Sequence, residues 1–273
     1  MRTVIAVSRI TIVFSASVAF SLPVLSTWSI VAAAAEPHPL VIARAGTLPV
    51  LLTVPHGGEE SVEGVPPRLR GATVRDKGTL ELAEALANQL TEKLGAAPYF
   101  VGARFSRKYI DANRQIDEAI ESPMAKPAYD AYHGNIRDFV TQMKARFPKG
   151  AILLDIHGQA ADPDAVHRGT RNGRTVSALI GKHGEAALSG PQSILGAVQS
   201  KGFRVYPPNT PLGTPPEDRR YNGGYTVFAY GSSNPDGIDA LQIEIGSAIR
   251  RDASFIPALA DAIAVFYRAY LSQ

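Results

Sequence analysis

The run Leu48-Pro-Val-Leu-Leu-Thr-Val54 is apolar and is closed by Pro55 and, one residue later, by two glycines. This is the pattern of a buried strand that ends in a tight loop starting at His56. From Asp76 to Leu94 the apolar residues Leu80, Leu82, Ala83, Leu86, Leu90 and Leu94 recur mostly at intervals of three and four, and Gly95 follows. That spacing predicts an amphipathic helix with a glycine stop. A strand fits Pro98 to Ala103 and a second long helix fits Pro127 to Phe147. Gly150-Ala-Ile-Leu-Leu-Asp-Ile156 reads as another buried strand, ending at His157.

Beyond it, a glycine- and arginine-rich loop is expected from Gly158 to Arg174, then a helix from Pro191 to Gly202 and a short strand from Phe203 to Tyr206. A loop rich in proline and glycine follows. Leu241-Gln-Ile-Glu-Ile245 then reads as a last strand, and Ala253 to Leu271 as an amphipathic terminal helix. Strands alternating with helices predict an α/β single domain, an open mostly parallel or mixed sheet with helices on both faces. In such a sheet ligands collect at the carboxyl ends of the strands.

The first 35 residues do not read as fold. Arg2 and Arg9 precede a long apolar and small-residue stretch that ends in Val31-Ala32-Ala33-Ala34-Ala35 before Glu36, the pattern of a signal peptide cut near Glu36. The expectation is therefore an exported protein, periplasmic or secreted, with residues 36–273 as the working domain and no stable membrane association after cleavage. Retention of the stretch as an anchor is the alternative, since roughly 20 apolar residues span a bilayer. Ser15, Ser17, Ser21, Pro23 and Ser26 weaken it.

Subtracting 35 residues from 273 leaves 238, enough to bury one sizeable core. Taking the two arginines of that segment from the formal charge of +3 leaves about +1, which argues against a nucleic-acid partner. Cysteine is absent, so any metal must be held by His, Asp or Glu.

His56 and His157 both follow apolar strands and both precede glycine, where a ligand can approach the backbone closely. A hydrolytic zinc keeps one position open for water, so two histidines and one carboxylate are expected. Glu59, Glu60 and Asp76 all compete to be that carboxylate, Asp76 also being placed to cap the first long helix. Arg104-Phe-Ser-Arg107 and Asp111-Ala-Asn113-Arg114 gather guanidinium groups suited to a substrate carboxylate, or to local pairs such as Arg107 with Asp111. Glu244, flanked by Ile243 and Ile245, is either a buried functional carboxylate or a member of a solvated edge strand.

Taken in order, Val54-Pro55-His56-Gly57-Gly58, Arg75-Asp76, Ser106-Arg107, Asp111-Ala-Asn113-Arg114, Tyr132-His133, Leu154-Asp155-Ile156-His157-Gly158, Gly223-Gly224-Tyr225 and Gln242-Ile-Glu244-Ile resemble the N-formylglutamate amidohydrolases. That family is related in fold to the zinc carboxypeptidases, a phosphorylase/hydrolase-like architecture. The resemblance implies Zn2+ held by His56, His157 and either Glu59 or Asp76, with Glu244 as the catalytic carboxylate. It further implies Asn113 and Arg114 on the substrate's carboxylate, with His133 and Tyr225 as further substrate contacts.

Arg107 is a candidate for stabilising the oxyanion. The expected activity is zinc-dependent hydrolysis of an amide beside a carboxylate in an N-acyl amino acid, γ-glutamyl or peptide-like small molecule. The rival is a non-catalytic periplasmic carboxylate- or zinc-binding protein. A serine hydrolase is a weaker alternative, because no Gly-x-Ser-x-Gly elbow occurs.

Overall fold

Seven strands form one mixed sheet in the computed structural model, which describes residues 37–209 and 215–272; the expected signal peptide lies outside the described residues. In chain order the strands are β1 (Val41–Arg44), β2 (Val50–Val54), β3 (Tyr99–Ala103), β4 (Ile152–Gln159), β5 (Ala165–Gly169), β6 (Arg204–Tyr206) and β7 (Asp239–Gly246). Across the sheet they run β1-β3-β2-β4-β7-β5-β6. The four inner strands β3, β2, β4 and β7 are parallel, while β1 and β5 join them antiparallel.

The helices are α1 (Thr79–Leu94), α2 (Ile116–Ala119), α3 (Lys126–Arg146), α4 (Ser177–His183), α5 (Ala186–Ser189), α6 (Ile194–Ser200), α7 (Tyr225–Tyr230) and α8 (Phe255–Phe266). Strand alternation divides the core in two. Val50, Leu52, Leu154, Ile156, Ile243 and Ile245 face α1, α6 and α8 in one apolar cluster. Leu51, Tyr99, Val101, Leu153 and Ala240 face α3 and α7 in the other.

On that second face the apolar residues give way toward the carboxyl ends of the strands. Thr53, Asp155 and Gln242 are aligned across β2, β4 and β7, and one step further His157, Glu244 and His167 are aligned across β4, β7 and β5. All six are buried, so the sheet presents a polar patch largely withdrawn from solvent.

Several expectations are corrected. The segment 158–174 is not one loop: β4 continues to Gln159, which places His157 inside the strand, and β5 follows. Val166 is the lone branched aliphatic residue of β5, so no apolar run marks it, and its burial comes from pairing with β7. Glu244 is not on an edge, because β7 lies between β4 and β5. The first helix starts at Thr79 with Gly78 before it, and Asp76 does not cap it with its side chain.

Among the described residues no helix is long and apolar enough to cross a membrane.

Candidate metal centre and substrate cavity

His56 stands two residues beyond β2 in a turn that tolerates only glycine at the next two positions. A Cβ on Gly57 would lie 2.7 Å from the Cβ of Leu80, and one on Gly58 would lie 2.2 Å from the carbonyl oxygen of Arg104. The turn thus packs directly on α1 and on the segment after β3. Asp76 comes to the same place because its backbone N–H donates to the carbonyl of His56 at 3.1 Å. Its Oδ2 accepts from the N–H of Gly158 at 3.1 Å.

One donor atom from each of His56, Asp76 and His157 lies within 4.8 Å of the others. Asp76 Oδ2 is 3.2 Å from His157 Nδ1 and 3.5 Å from His56 Nδ1. Atoms about 2 Å from a tetrahedral zinc are separated by roughly 3.3 Å, so these spacings suit one ion. The other ring nitrogens are fixed from behind. His56 Nε2 meets Asp111 Oδ1 at 2.7 Å and His157 Nε2 meets Asp155 Oδ2 at 2.8 Å. Asp155 is itself held by the Thr53 hydroxyl at 2.6 Å.

With each Nε2 carrying its proton toward a carboxylate, both Nδ1 lone pairs point at Asp76. The Nδ1 of His56 is buried and has no hydrogen-bond partner. A lone pair aimed at a carboxylate oxygen across 3.5 Å is repulsive unless something positive lies between them. The residues therefore fit a cation.

The surrounding charge leads to the same conclusion. Asp76, Asp111, Asp155 and Glu244 are all buried around two imidazoles and Arg107. Burial alone would raise the Asp76 carboxyl, but its bonds to His157 and His56 hold it far below the usual carboxylate range. Asp111 is pulled down in the same way against its burial, by His56 and Arg107. Burial would favour a neutral His157, yet Asp155, Glu244 and Asp76 together push the ring well above its ordinary value. Glu244 is raised by burial, with His157 opposing the shift and Asp76 adding to it.

Glu244 Oε1 lies 4.0 Å from His157 Nδ1 and accepts from the Gln242 amide at 3.0 Å. Arg107 binds Asp111 through Nε at 3.0 Å and Nη2 at 2.9 Å, with Nη1 3.8 Å from Asp76. His56, Asp76, Arg107, His157, Gln242 and Glu244 form the floor of a cavity of about 700 Å3, whose walls include Arg114, Arg171, Tyr221 and Tyr225.

Asn113 lines this cavity, but both ends of its amide are engaged. Its Nδ2 donates to Gln242 Oε1 at 3.3 Å, and its Oδ1 accepts from Thr226 N–H at 2.8 Å. Arg114 donates to the carbonyl of Asn113 at 2.8 Å, and its guanidinium remains half-exposed in the cavity.

Two expected site residues lie elsewhere. Glu59 is exposed and ion-paired with Arg75 and stands outside the histidine group, because the turn at Gly57-Gly58 carries the chain away from His56. Glu60 is exposed as well. His133 does not face the cavity: it is buried, bonded to the carbonyl of Ala112 at 3.0 Å and to the Tyr230 hydroxyl at 3.0 Å. Burial lowers its pKa to about 4, so it is a neutral prop behind the Asn113 segment.

The sequence reading assigned no site role to Asp155 or Gln242, although each stands two residues before a site residue on the same strand face. Period-two alternation is the signal that reveals them. It also gave Asp111 no role beyond pairing with Arg107, and nothing in the sequence marks Arg171.

No protein-family model and no curated protein matches this chain by sequence. Among solved structures, it is similar to the N-formylglutamate amidohydrolase from Ralstonia eutropha JMP134, with a TM-score of 0.56 and 16% identity over 84% of this chain and 96% of that one. It is also similar to gene product Atu2144 from Agrobacterium tumefaciens, with a TM-score of 0.55 and 16% identity over 85% and 94% of the two chains. In fold, therefore, the chain resembles the amidohydrolase that its ordered sequence motifs resemble.

Proposed function

We propose that this protein is a zinc-dependent amidohydrolase that splits an amide bond beside a carboxylate in an N-acyl amino acid or a peptide-like small molecule. The observation that carries the reading is the convergence of His56 Nδ1, His157 Nδ1 and Asp76 Oδ2, with the first of these buried and unpartnered. Similarity in fold to an N-formylglutamate amidohydrolase supports the reaction class.

In this reading His56, Asp76 and His157 hold the ion, and Asp111 and Asp155 fix the imidazoles with Nδ1 forward. Zinc at that place would supply a Lewis acid for the scissile carbonyl and acidify a water molecule. Glu244 takes a proton from the attacking water and returns it to the departing amine as the C–N bond breaks. Its raised pKa suits both halves of that exchange. Arg107 stabilises negative charge on the carbonyl oxygen in this reading, and Arg114 offers its guanidinium to the substrate carboxylate. We also propose export, on the composition of residues 1–35 alone.

Zinc analysis of the purified protein, combined with amine release from a panel of N-acyl-glutamates, tests the reading. About one zinc per chain, with chelator-sensitive turnover restored by zinc, is the expected result. Tight carboxylate or zinc binding without turnover on any member would leave a binding protein in its place.

A further inference from the structure

Arg250 stands outside the cavity, in the short 3-10 turn Ile249–Arg251 that follows β7. The turn is anchored: Ile249 is buried in the core, and the N–H groups of Ala248 and Ile249 donate to the carbonyl of Pro163 at 3.0 and 3.4 Å. From there the arginine reaches back over the carboxyl ends of the strands. Its Nη1 donates to the carbonyl of Gln159 at 3.2 Å and to that of Ile245, and its Nε donates to the carbonyl of Lys77 at 3.1 Å.

Each of those carbonyls sits one or two residues from a member of the site. Lys77 follows Asp76, Ile245 follows Glu244, and Gln159 stands two residues after His157. The guanidinium also lies against the backbone between them, since a Cβ on Gly158 would be 2.4 Å from its Nη1 and 2.6 Å from its Cζ. Gly158 in turn gives its N–H to Asp76 Oδ2. One side chain thus joins three chain segments at the point where they meet.

Of the three, the Asp76 segment has the least support of its own. β4 and β7 are paired as far as Gln159 and Gly246, whereas Asp76 lies before α1, outside any regular element, and that helix has no side-chain cap. A planar guanidinium serves several carbonyls at once in fixed directions, which an ammonium on a flexible stem does not. Burial lowers the pKa of Arg250 and the charges of Asp76 and Glu244 oppose that shift, so its field acts on both carboxylates.

We propose that Arg250 is a positioning residue for the metal centre: its three carbonyl contacts clamp the Asp76 segment to β4 and β7 and thereby hold Asp76 Oδ2 against His157. The consequence for zinc rests on the reading that His56, Asp76 and His157 hold the ion; the clamp does not.

The sign of the effect separates positioning from charge. A cation near a zinc site repels the ion, so if charge alone counted, removing Arg250 would tighten zinc binding. Loss of positioning weakens it. Arg250→Met should lower zinc affinity, measured by chelator competition, at least tenfold, the usual effect of removing a group that orients a metal ligand. Arg250→Lys should retain part of the affinity, and Arg251→Met, which removes an exposed charge from the next position, should leave it within a few-fold.

Amide hydrogen exchange in the zinc-free protein reads the clamp directly: protection of the Asp76 and Gly158 N–H groups should fall in Arg250→Met while that of Leu52 and Leu154 in the core is kept. If the methionine variant folds poorly, Arg250→Gln, which keeps a donor for one carbonyl, should move both readouts in the same direction. Zinc affinity that is unchanged or higher in a folded variant overturns the proposal, as does unchanged exchange at Asp76 and Gly158. If wild type takes up no zinc, the metal reading falls and amide exchange alone decides on the clamp.

Discussion

His157 and Glu244 face each other across the parallel pair β4 and β7, in register, with Nδ1 and Oε1 4.0 Å apart. One residue offers an imidazole nitrogen that could hold a metal ion and the other a carboxylate with a raised pKa, and the backbone ladder sets their separation. Because both are carried on buried central strands, the geometry is stiffer than any loop would provide.

Glu244→Gln keeps the shape of the side chain and removes its capacity to accept a proton. We expect normal zinc content, an unchanged unfolding temperature and a loss in kcat on the order of 10²–10⁴-fold. Substantial activity in a zinc-loaded variant would remove Glu244 from the mechanism.

Asp76 and Glu59 separate by the same logic. Asp76→Ala should weaken zinc binding strongly, because Asp76 Oδ2 faces both imidazoles, whereas Glu59→Ala removes only a surface pair with Arg75 and should leave zinc affinity within a few-fold. Titration against a chromophoric chelator distinguishes them, and the reverse ranking would show that the acidic ligand has been misidentified.

Asp155→Asn tests the support behind His157. The amide can no longer hold the Nε2 proton as a carboxylate does, so zinc affinity should fall about 10–100-fold. The Thr53 contact can survive the change, so circular dichroism should report an intact fold. Unaltered zinc affinity would mean that Asp155 does not orient His157.

His133 makes a prediction about pH. Its folded pKa of about 4 lies below the roughly 6.5 of an unfolded histidine, so between those values the unfolded chain binds a proton that the folded chain does not. Stability contributed by neutral His133 is therefore complete above pH ~6.5 and declines by about 3 kcal/mol as pH falls to ~4. Chemical denaturation of wild type and His133→Gln across that window should show a shallower slope for the variant; equal slopes would exclude His133 as the source.

Much of the layout was legible along the chain. The apolar runs of β2, β4 and β7 and the three- and four-residue spacing of α1 and α3 announced themselves, since each is a local pattern whose period reflects one buried face. His56, His157 and Glu244 stood out for a related reason, being polar groups set directly against those runs.

Strand β5 carries no local mark because its burial comes from β7 and not from its own apolar residues. Local pattern also could not rank Glu59 against Asp76. Three residues of spacing favoured Glu59, but the glycine turn carries it outward, while a backbone bond from Asp76 to His56 brings in an acid twenty positions away. The export signal remains a reading of composition alone.

Sequence by itself determined which residue types were available and which elements carry them, because helix and strand periodicity are properties of neighbours in the chain. Tertiary structure alone decided which acid stands beside the imidazoles and which carboxylates brace them. Those outcomes depend on strand order and register, which bring Asp76 to His157 and Arg107 to Asp111 within one small buried volume where charge is weakly screened.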